Sequence, residues 1–437
     1  MYFAINLKIK MSENRIITGL ILFLSFLTGT LFLNSCKKDP TIPVLITGQT
    51  SNITINSAEI SGEVTDDGGA EVTARGFCWG TSTNPTLQDD FVPSGTGPGE
   101  FISTITGLQP NTLYHIRAFA QNRVGIAYGN EVTFTTGIAA PQVTTSPVSG
   151  ITASSAVCGG NITYDGGADI TGRGVCWSTS PDPDLEDSFT TSYTGTVAFI
   201  TTMTSLQPGT KYYVRAYVKN SAWTIYGEQL TFNTKIADIE GNLYSIVTIG
   251  SQVWMAENLR STKYNDATSI PNVTDNTDWV NLATPAYCWY LNDITYKSSY
   301  GALYNWYTVG TGKLCPTGWH VPSDEEFKNL ELYLGMPSDH LDLWDWRGTD
   351  QGSKMKSTTG WDNGGNGSNS SGFSATAGGY RYGATGAFNA DGVLTYWWAY
   401  DNNDIYGWYR RLDGDNNGVF RGITSKKGGK YIRCLKD

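Results

Sequence analysis

The chain contains one long segment twice, at a spacing of 98 residues. Leu108-Gln109-Pro110-Asn111-Thr112-Leu113-Tyr114-His115-Ile116-Arg117-Ala118 returns as Leu206-Gln207-Pro208-Gly209-Thr210-Lys211-Tyr212-Tyr213-Val214-Arg215-Ala216. In the same register, Arg75-Gly76-Phe77-Cys78-Trp79 matches Arg173-Gly174-Val175-Cys176-Trp177, and Tyr128-Gly129 matches Tyr226-Gly227. A solenoid unit is only about 20 to 50 residues long, so a gapless repeat of this length is two copies of a whole domain. The duplicated half reads as spacer or display modules, and any specific activity is expected in the unrepeated C-terminal part.

The 437 residues fit about three domains of ordinary size. Only 16% of the residues are charged, whereas Gly (50) and Tyr (25) are plentiful. This is the profile of β-rich extracellular domains whose surfaces rely on Ser, Thr, Asn and Gly.

The N-terminus reads as a targeting segment, residues 1–35. Arg15 precedes an apolar run from Ile16 to Leu33 that leads into Leu33-Asn34-Ser35-Cys36. A positive start, an apolar core and a small residue before the cut describe a secretory signal. The Leu-x-Ser-Cys ending resembles a bacterial lipobox, which implies lipidation at Cys36. Met11 is an alternative start. The rival reading is a retained anchor, since the run is near the lower limit for spanning a bilayer. Cys36-Lys37-Lys38-Asp39 also resembles the surface-export signals of Bacteroidetes lipoproteins. The expected location is therefore the cell outer membrane, with 36–41 as a lipidated linker. Cleavage before Cys36 removes Lys8, Lys10, Arg15 and Glu13, a net +2, so a chain of formal charge −10 becomes −12. Such an acidic protein has no electrostatic footprint for nucleic acid or an anionic membrane. Its membrane partner is reached through the lipid.

Six cysteines remain after lipidation, in a disulfide-permissive compartment and without a Cys-x-x-Cys pair. Cys158 and Cys176 fall on consecutive strand-like runs, and a disulfide between them is expected across the core. The first repeat has Ile60 where the second has Cys158. Cys78 is thus expected to be a buried free thiol.

Each repeat shows strand-length runs separated by turn signals, in the first copy 44–47, 57–64, 73–80, 100–105, 112–122 and 131–136. Tyr114, Ile116, Ala118 and Ala120 alternate with His115, Arg117, Phe119 and Gln121, the pattern of a half-buried antiparallel strand. About seven such strands in about 100 residues indicate a sandwich. Leu-x-Pro-x-Thr-x-Tyr, followed by Arg-Ala and by Asn122 or Asn220, resembles the fibronectin type III family over residues 42–136 and 140–234. The resemblance implies a tyrosine corner, in which the hydroxyls of Tyr114 and Tyr212 bond back to the backbone upstream. In this chain the tryptophans, Trp79 and Trp177, lie on the third strand rather than the second.

The composition changes at residue 238, and 238–437 holds eleven of the fourteen tryptophans. Ser323-Asp324-Glu325-Glu326 is a capping box before a helix with Phe327, Leu330 and Leu334 on one face. A second helix is expected over 300–307, where Tyr300, Leu303, Tyr304 and Tyr307 share a face. Asp413-Gly414-Asp415-Asn416-Asn417-Gly418 has the spacing of half a calcium loop, which makes Asp413, Asp415 and Asn417 candidate ligands. Position twelve, however, is Thr424 instead of Glu. No His-Glu-x-x-His, Gly-x-Ser-x-Gly or P-loop is present. No catalytic residue is assigned, and His320 reads as a hydrogen-bonded structural histidine.

Several segments carry a second resemblance: 253–259 (Val-Trp-Met-Ala-Glu-Asn-Leu), 300–306 (Tyr-Gly-Ala-Leu-Tyr-Asn-Trp), 315–322 (Cys-Pro-Thr-Gly-Trp-His-Val-Pro), 372–375 with 378–381, and 432–437. Together they resemble the Fibrobacter succinogenes major paralogous domain, a secreted module related to C-type-lectin-like folds. The resemblance implies that both ends of the domain meet in one small sheet, and hence a Cys315–Cys434 disulfide with Cys288 unpaired. Cys288–Cys434 is the competing pairing. The calcium-and-sugar signatures of C-type lectins are missing.

The expected architecture is mostly β and multidomain: two fibronectin type III-like β-sandwiches followed by an α+β C-type-lectin-like domain. The expected function is non-enzymatic binding or adhesion at the cell surface, toward an extracellular glycan or protein. An extracellular enzyme and a structural envelope component are the alternatives.

Overall fold

The computed structural model describes residues 38–192, 195–401 and 405–437. Cys36 and the apolar run before it lie outside the described residues. Among those described, no helix is long and apolar enough to cross a membrane. The chain is mostly β. The described residues divide into two compact units: one takes 38–49, Ser61–Ser103 and Ile116–Val132, the other Thr50–Ile60, Thr104–His115 and the described part of Thr133–Asp437. The first repeat contributes strands to both.

The first repeat holds β1 (Val44–Ser51), β2 (Ser57–Asp66), β3 (Ala74–Gly80), β4 (Asp90–Pro93), β5 (Gly99–Thr106), β6 (Leu113–Gln121), β7 (Ile126–Tyr128) and β8 (Val132–Thr135). The second holds β9 (Gln142–Thr145), β10 (Ala156–Tyr164), β11 (Gly172–Ser178), β12 (Ser188–Phe189), β13 (Phe199–Met203), β14 (Lys211–Lys219), β15 (Thr224–Tyr226) and β16 (Leu230–Asn233). The sheet orders coincide. They are β1-β2-β5 and β4-β3-β6-β7 in the first copy, β9-β10-β13 and β12-β11-β14-β15 in the second, with β8 on β6 and β16 on β14. The Tyr114 hydroxyl accepts from the Gln109 N–H at 2.9 Å, and the Tyr212 hydroxyl from the Gln207 N–H at 3.0 Å. Asn220, almost wholly buried, donates to the carbonyls of Ala139 and Asp165 and so pins a turn that would otherwise leave buried carbonyls unpaired.

The expected Cys158–Cys176 disulfide is not formed; both cysteines are buried and free. The strand assignment holds, with Cys158 on β10 and Cys176 on β11, but the assumed direction of Cys176 does not. Val175 and Trp177 pack with Cys158 in the core between the sheets. Side chains alternate along a strand, so Cys176 points to the opposite face of its sheet. There its Sγ lies 3.2 Å from the Pro183 carbonyl, under the loop leading to β12. Cys78 repeats this geometry against the Pro85 carbonyl at 3.3 Å and is free as well. Burial pushes both thiols up to about 11.

In the C-terminal part, Ile236–Ala237 pairs with Leu243–Tyr244, which brings Ile236 into this part's core. Ile246–Ile249, Gln252–Met255, Leu435–Lys436 and Trp319–His320 form a four-stranded sheet in that order. The last strand is thus enclosed between two others, and Cys434 just before it is bonded to Cys315. Cys288 is free and fully buried. The helix Asp324–Tyr333 starts at Ser323, with both halves of the capping box made.

The helix expected over 300–307 does not form. Gly301 has φ +86°, Leu303–Tyr304 pairs with Tyr287–Cys288 as a strand, and only Trp306–Val309 is helical, capped by Asn305. Of the residues at helical spacing, Leu303 and Tyr304 are core residues of a short extended segment.

The family-like segments are mostly interior. Asn258 accepts from the Trp397 indole at 2.8 Å and from the Arg433 guanidinium at 2.9 Å, and it donates to the Tyr300 carbonyl at 2.8 Å. Trp254, Tyr304 and Arg433 are all buried.

Candidate ligand pocket

The largest sheet of the C-terminal part has six strands in the order Asp345–Arg347, Val419–Ser425, Tyr406–Asp413, Leu394–Ala399, Gly378–Arg381 and Phe388–Asp391. Alternation divides its two faces. Val419, Arg410, Leu412 and Trp397 are buried toward the helix and core, which leaves Trp346, Phe420, Tyr409, Arg411, Tyr396 and Tyr380 on the other face. Trp346 is directly opposite Phe420, Phe420 opposite Arg411, and Arg411 opposite Tyr396.

The rings form a continuous row. Centroid separations are 5.4 Å for Trp346–Phe420, 5.7 Å for Phe420–Tyr409, 5.3 Å for Tyr409–Tyr396, 4.7 Å for Tyr396–Tyr380 and 6.1 Å for Tyr380–Tyr382. Cross-strand aromatic pairs of this kind stabilise a sheet, each by about 0.2–1 kcal/mol. The Arg411 guanidinium lies within 5.7 Å of the Trp346, Tyr396 and Phe420 rings and is ion-paired with Asp413.

One end of the row opens into a cavity of about 220 Å³ lined by Tyr380, Tyr382, Tyr396, Tyr409, Thr424 and Lys430, among others. Pockets for drug-sized ligands begin at about 300 Å³, so this one fits a smaller group. Lys430 is held by two backbone hydrogen bonds with Tyr304, of 2.9 and 3.0 Å. The preceding Gly429 allows the backbone to approach Arg381, whose Cβ would be 2.8 Å from any side chain placed there. The Lys430 ammonium lies 4.4 Å from the Tyr396 ring centroid, 4.7 Å from Trp398 and 4.9 Å from Tyr409. Burial, with Arg411 nearby, pushes it down to about 7.

The residues singled out from the sequence are elsewhere. Asp413, Asp415 and Asn417 do not converge on a common point for a cation. The carbonyls of Asp413 and Asn416 accept from the Lys356 ammonium at 2.9 and 3.1 Å, Asp413 pairs with Arg411, and the Asn417 carbonyl accepts from the Ser353 N–H. The half calcium loop is a turn wrapped around an internal lysine, and no group of three metal-ligating side chains occurs among the described residues. Cys315 and Cys434 are in the disulfide, while Cys158 and Cys176 are in the second sandwich, apart from the pocket. His320 is hydrogen-bonded through both ring nitrogens, to Asp437 at 2.7 Å and Glu326 at 2.9 Å.

The pocket residues went unassigned in the sequence because they come from five separated segments. The available signal was the alternation Tyr409-x-Arg411 and Tyr396-x-Trp398 in strand-like runs. No curated protein matches the chain. Residues 247–436, the C-terminal part of the chain, match the model of the Fibrobacter succinogenes major domain.

Proposed function

We propose that this is a lipid-anchored surface protein in which two fibronectin type III-like sandwiches carry a C-type-lectin-like domain that binds an extracellular glycan. The row of rings from Trp346 to Tyr382, ending at the Lys430 pocket, is the observation that carries this reading. The C–H faces of pyranose rings pack on aromatic faces, and hydroxyls of Tyr, Thr and Ser at the rim give orientation. The sandwich assignment is supported by the repeated sheet order and by the two tyrosine corners. Anchoring at the outer membrane rests on the Leu33–Cys36 segment.

The test is a glycan array probed with residues 37–437, which lack only the leader and the lipidated cysteine. Wild type should bind a defined set of saccharides, and Tyr396→Ala with Tyr409→Ala should abolish binding while the protein stays folded. Binding to no saccharide, or equal binding by the double variant, overturns the reading.

A further inference from the structure

We infer that the pocket at the end of the aromatic row recognises an anionic substituent, a carboxylate or sulfate, on its saccharide ligand, with Lys430 as the contacting cation. The inference rests on the glycan-binding reading above and concerns the same site.

Lys430 is 4% exposed as a residue, yet its ammonium is not one of the wholly buried side-chain atoms left without a partner among the described residues: it lines the cavity and meets solvent there. Its surroundings are instead the faces of Tyr396, Trp398 and Tyr409, with Tyr380 further away at 5.8 Å. An ammonium held against aromatic faces and reached by water only through a small cavity gives up part of its hydration, and an apolar residue of similar length would be tolerated there at least as well. A ligand atom that accepts from its N–H donors offsets that loss.

The charges around the cavity determine what kind of acceptor that is. No carboxylate is among the lining residues. The strand Tyr406–Asp413 presents Arg411, whose charge is matched by Asp413. The strand Gly378–Arg381 contributes Arg381, whose guanidinium is turned away and donates to the carbonyls of Gly386, Val273, Thr274 and Asp275. The tyrosines facing the ammonium, Tyr380, Tyr396 and Tyr409, are all raised by burial and so neutral at physiological pH. With Arg381 committed to backbone carbonyls, Lys430 is the cation that faces the aromatic wall of the pocket, in a chain of formal charge −10. Charge-assisted hydrogen bonds to an oxyanion are about twice as strong as neutral ones, and a low-dielectric aromatic wall strengthens them further.

Calorimetry on residues 37–437 at pH 6 can test this with three matched probes: an oligogalacturonate, its carboxyl-reduced neutral counterpart, and a sulfated galactose oligosaccharide. At least one anionic probe should bind about tenfold or more tightly than the neutral one, the effect of a single charge-assisted hydrogen bond. Lys430→Met should abolish this preference, and a cooperative melt will confirm that the variant is folded. Tighter binding of the oligogalacturonate alone assigns a carboxylate, and of the sulfated probe alone a sulfate. Equal binding of all three by wild type overturns the inference but leaves glycan binding standing. A preference that survives in Lys430→Met also overturns it. Binding of none of the three overturns it, and the array result then decides the glycan reading separately. The wild-type comparison needs no variant.

Discussion

Arg410 Nε and Glu331 Oε1 are 2.6 Å apart, and neither side chain is exposed to solvent. The pair joins the helix Asp324–Tyr333 to the middle of the six-stranded sheet. Glu331 also holds Arg347 at 2.8 Å, while Asp324 holds Arg410 and Arg421, each at 2.7 Å. Three neighbouring strands of the sheet are thus tied to one helix by two carboxylates. Asp324 is held well below the usual carboxylate range: burial alone would raise it, but Arg421 and Arg410 outweigh that effect. Removing one partner of a buried ion pair leaves an uncompensated charge, at a cost of about 3–5 kcal/mol. Glu331→Ala should therefore lose about that much stability in urea unfolding. A loss below about 1 kcal/mol would show that the guanidinium groups find other partners. Glu331→Met combined with Arg410→Met should recover only part of the loss, because Arg410 no longer lacks its partner while Arg347 stays buried without its carboxylate.

The Cys315–Cys434 bond spans 119 residues of sequence and anchors the final strand. Loop-closure entropy for a loop of this size is worth up to about 5 kcal/mol. Cys315→Ser should lower the melting temperature and release one reactive thiol at Cys434, whereas Cys288→Ser should leave the bond intact. Peptide mapping without reductant should also recover Cys78, Cys158 and Cys176 as free thiols that react only after unfolding. Finding Cys158 linked to Cys176 would show that Cys176 faces the core after all.

What could be read from the sequence was local, or else carried by a repeat. The Ser323–Glu326 box marks a helix start because its hydrogen bonds span only three residues. The sandwich strands were visible because one face is wetter than the other, and their duplication confirmed the register. Cys176 was misread because both faces of β11 are covered, one by the core and one by the 179–187 loop. Apolar neighbours then do not reveal direction. The helix expected over 300–307 failed for a related reason, since Leu303 and Tyr304 are buried and Tyr300 and Tyr307 half-buried without the backbone being helical there. The pocket was illegible because Tyr380, Tyr396, Tyr409 and Lys430 become neighbours only through sheet order, with a parallel pairing of Gly379 and Thr395 at its centre.

His320 should make the protein lose stability in mild alkali. A hydrogen bond to Glu326 raises it most; burial lowers it, the bond to Asp437 adds to the rise, and the result is about 9. The same contact helps hold Glu326 down at about 2, against the effect of burial. A histidine with a raised pKa contributes fully below its unfolded value of about 6.5, and the contribution disappears as pH rises through about 9. The side chain is 38% exposed, so solvent screening reduces the effect. The stability advantage of wild type over His320→Gln should be largest at pH 6.5 and shrink by pH 9.5, so that the two melting-temperature profiles differ in slope. Identical slopes for the two proteins would rule out His320 as the titrating group.

Lys430 should show the opposite pH dependence. Its folded pKa of about 7 lies below the roughly 10.4 of an unfolded lysine. Below pH 7 the ammonium is charged in both states, and the folded protein bears the whole desolvation cost. Between about 7 and 10.4 the unfolded chain binds one more proton than the folded one, so this group's contribution to stability improves as pH rises. A depression of that size corresponds to a cost on the order of 4 kcal/mol at acid pH, reduced by the cation–π contacts with the surrounding rings. Met fills a similar volume without a charge. Lys430→Met should therefore raise the melting temperature, by more at pH 6 than at pH 9.5. A lower melting temperature at both pH values would mean that the ammonium is bonded within the folded protein, which would remove the reason for expecting it to bond a ligand.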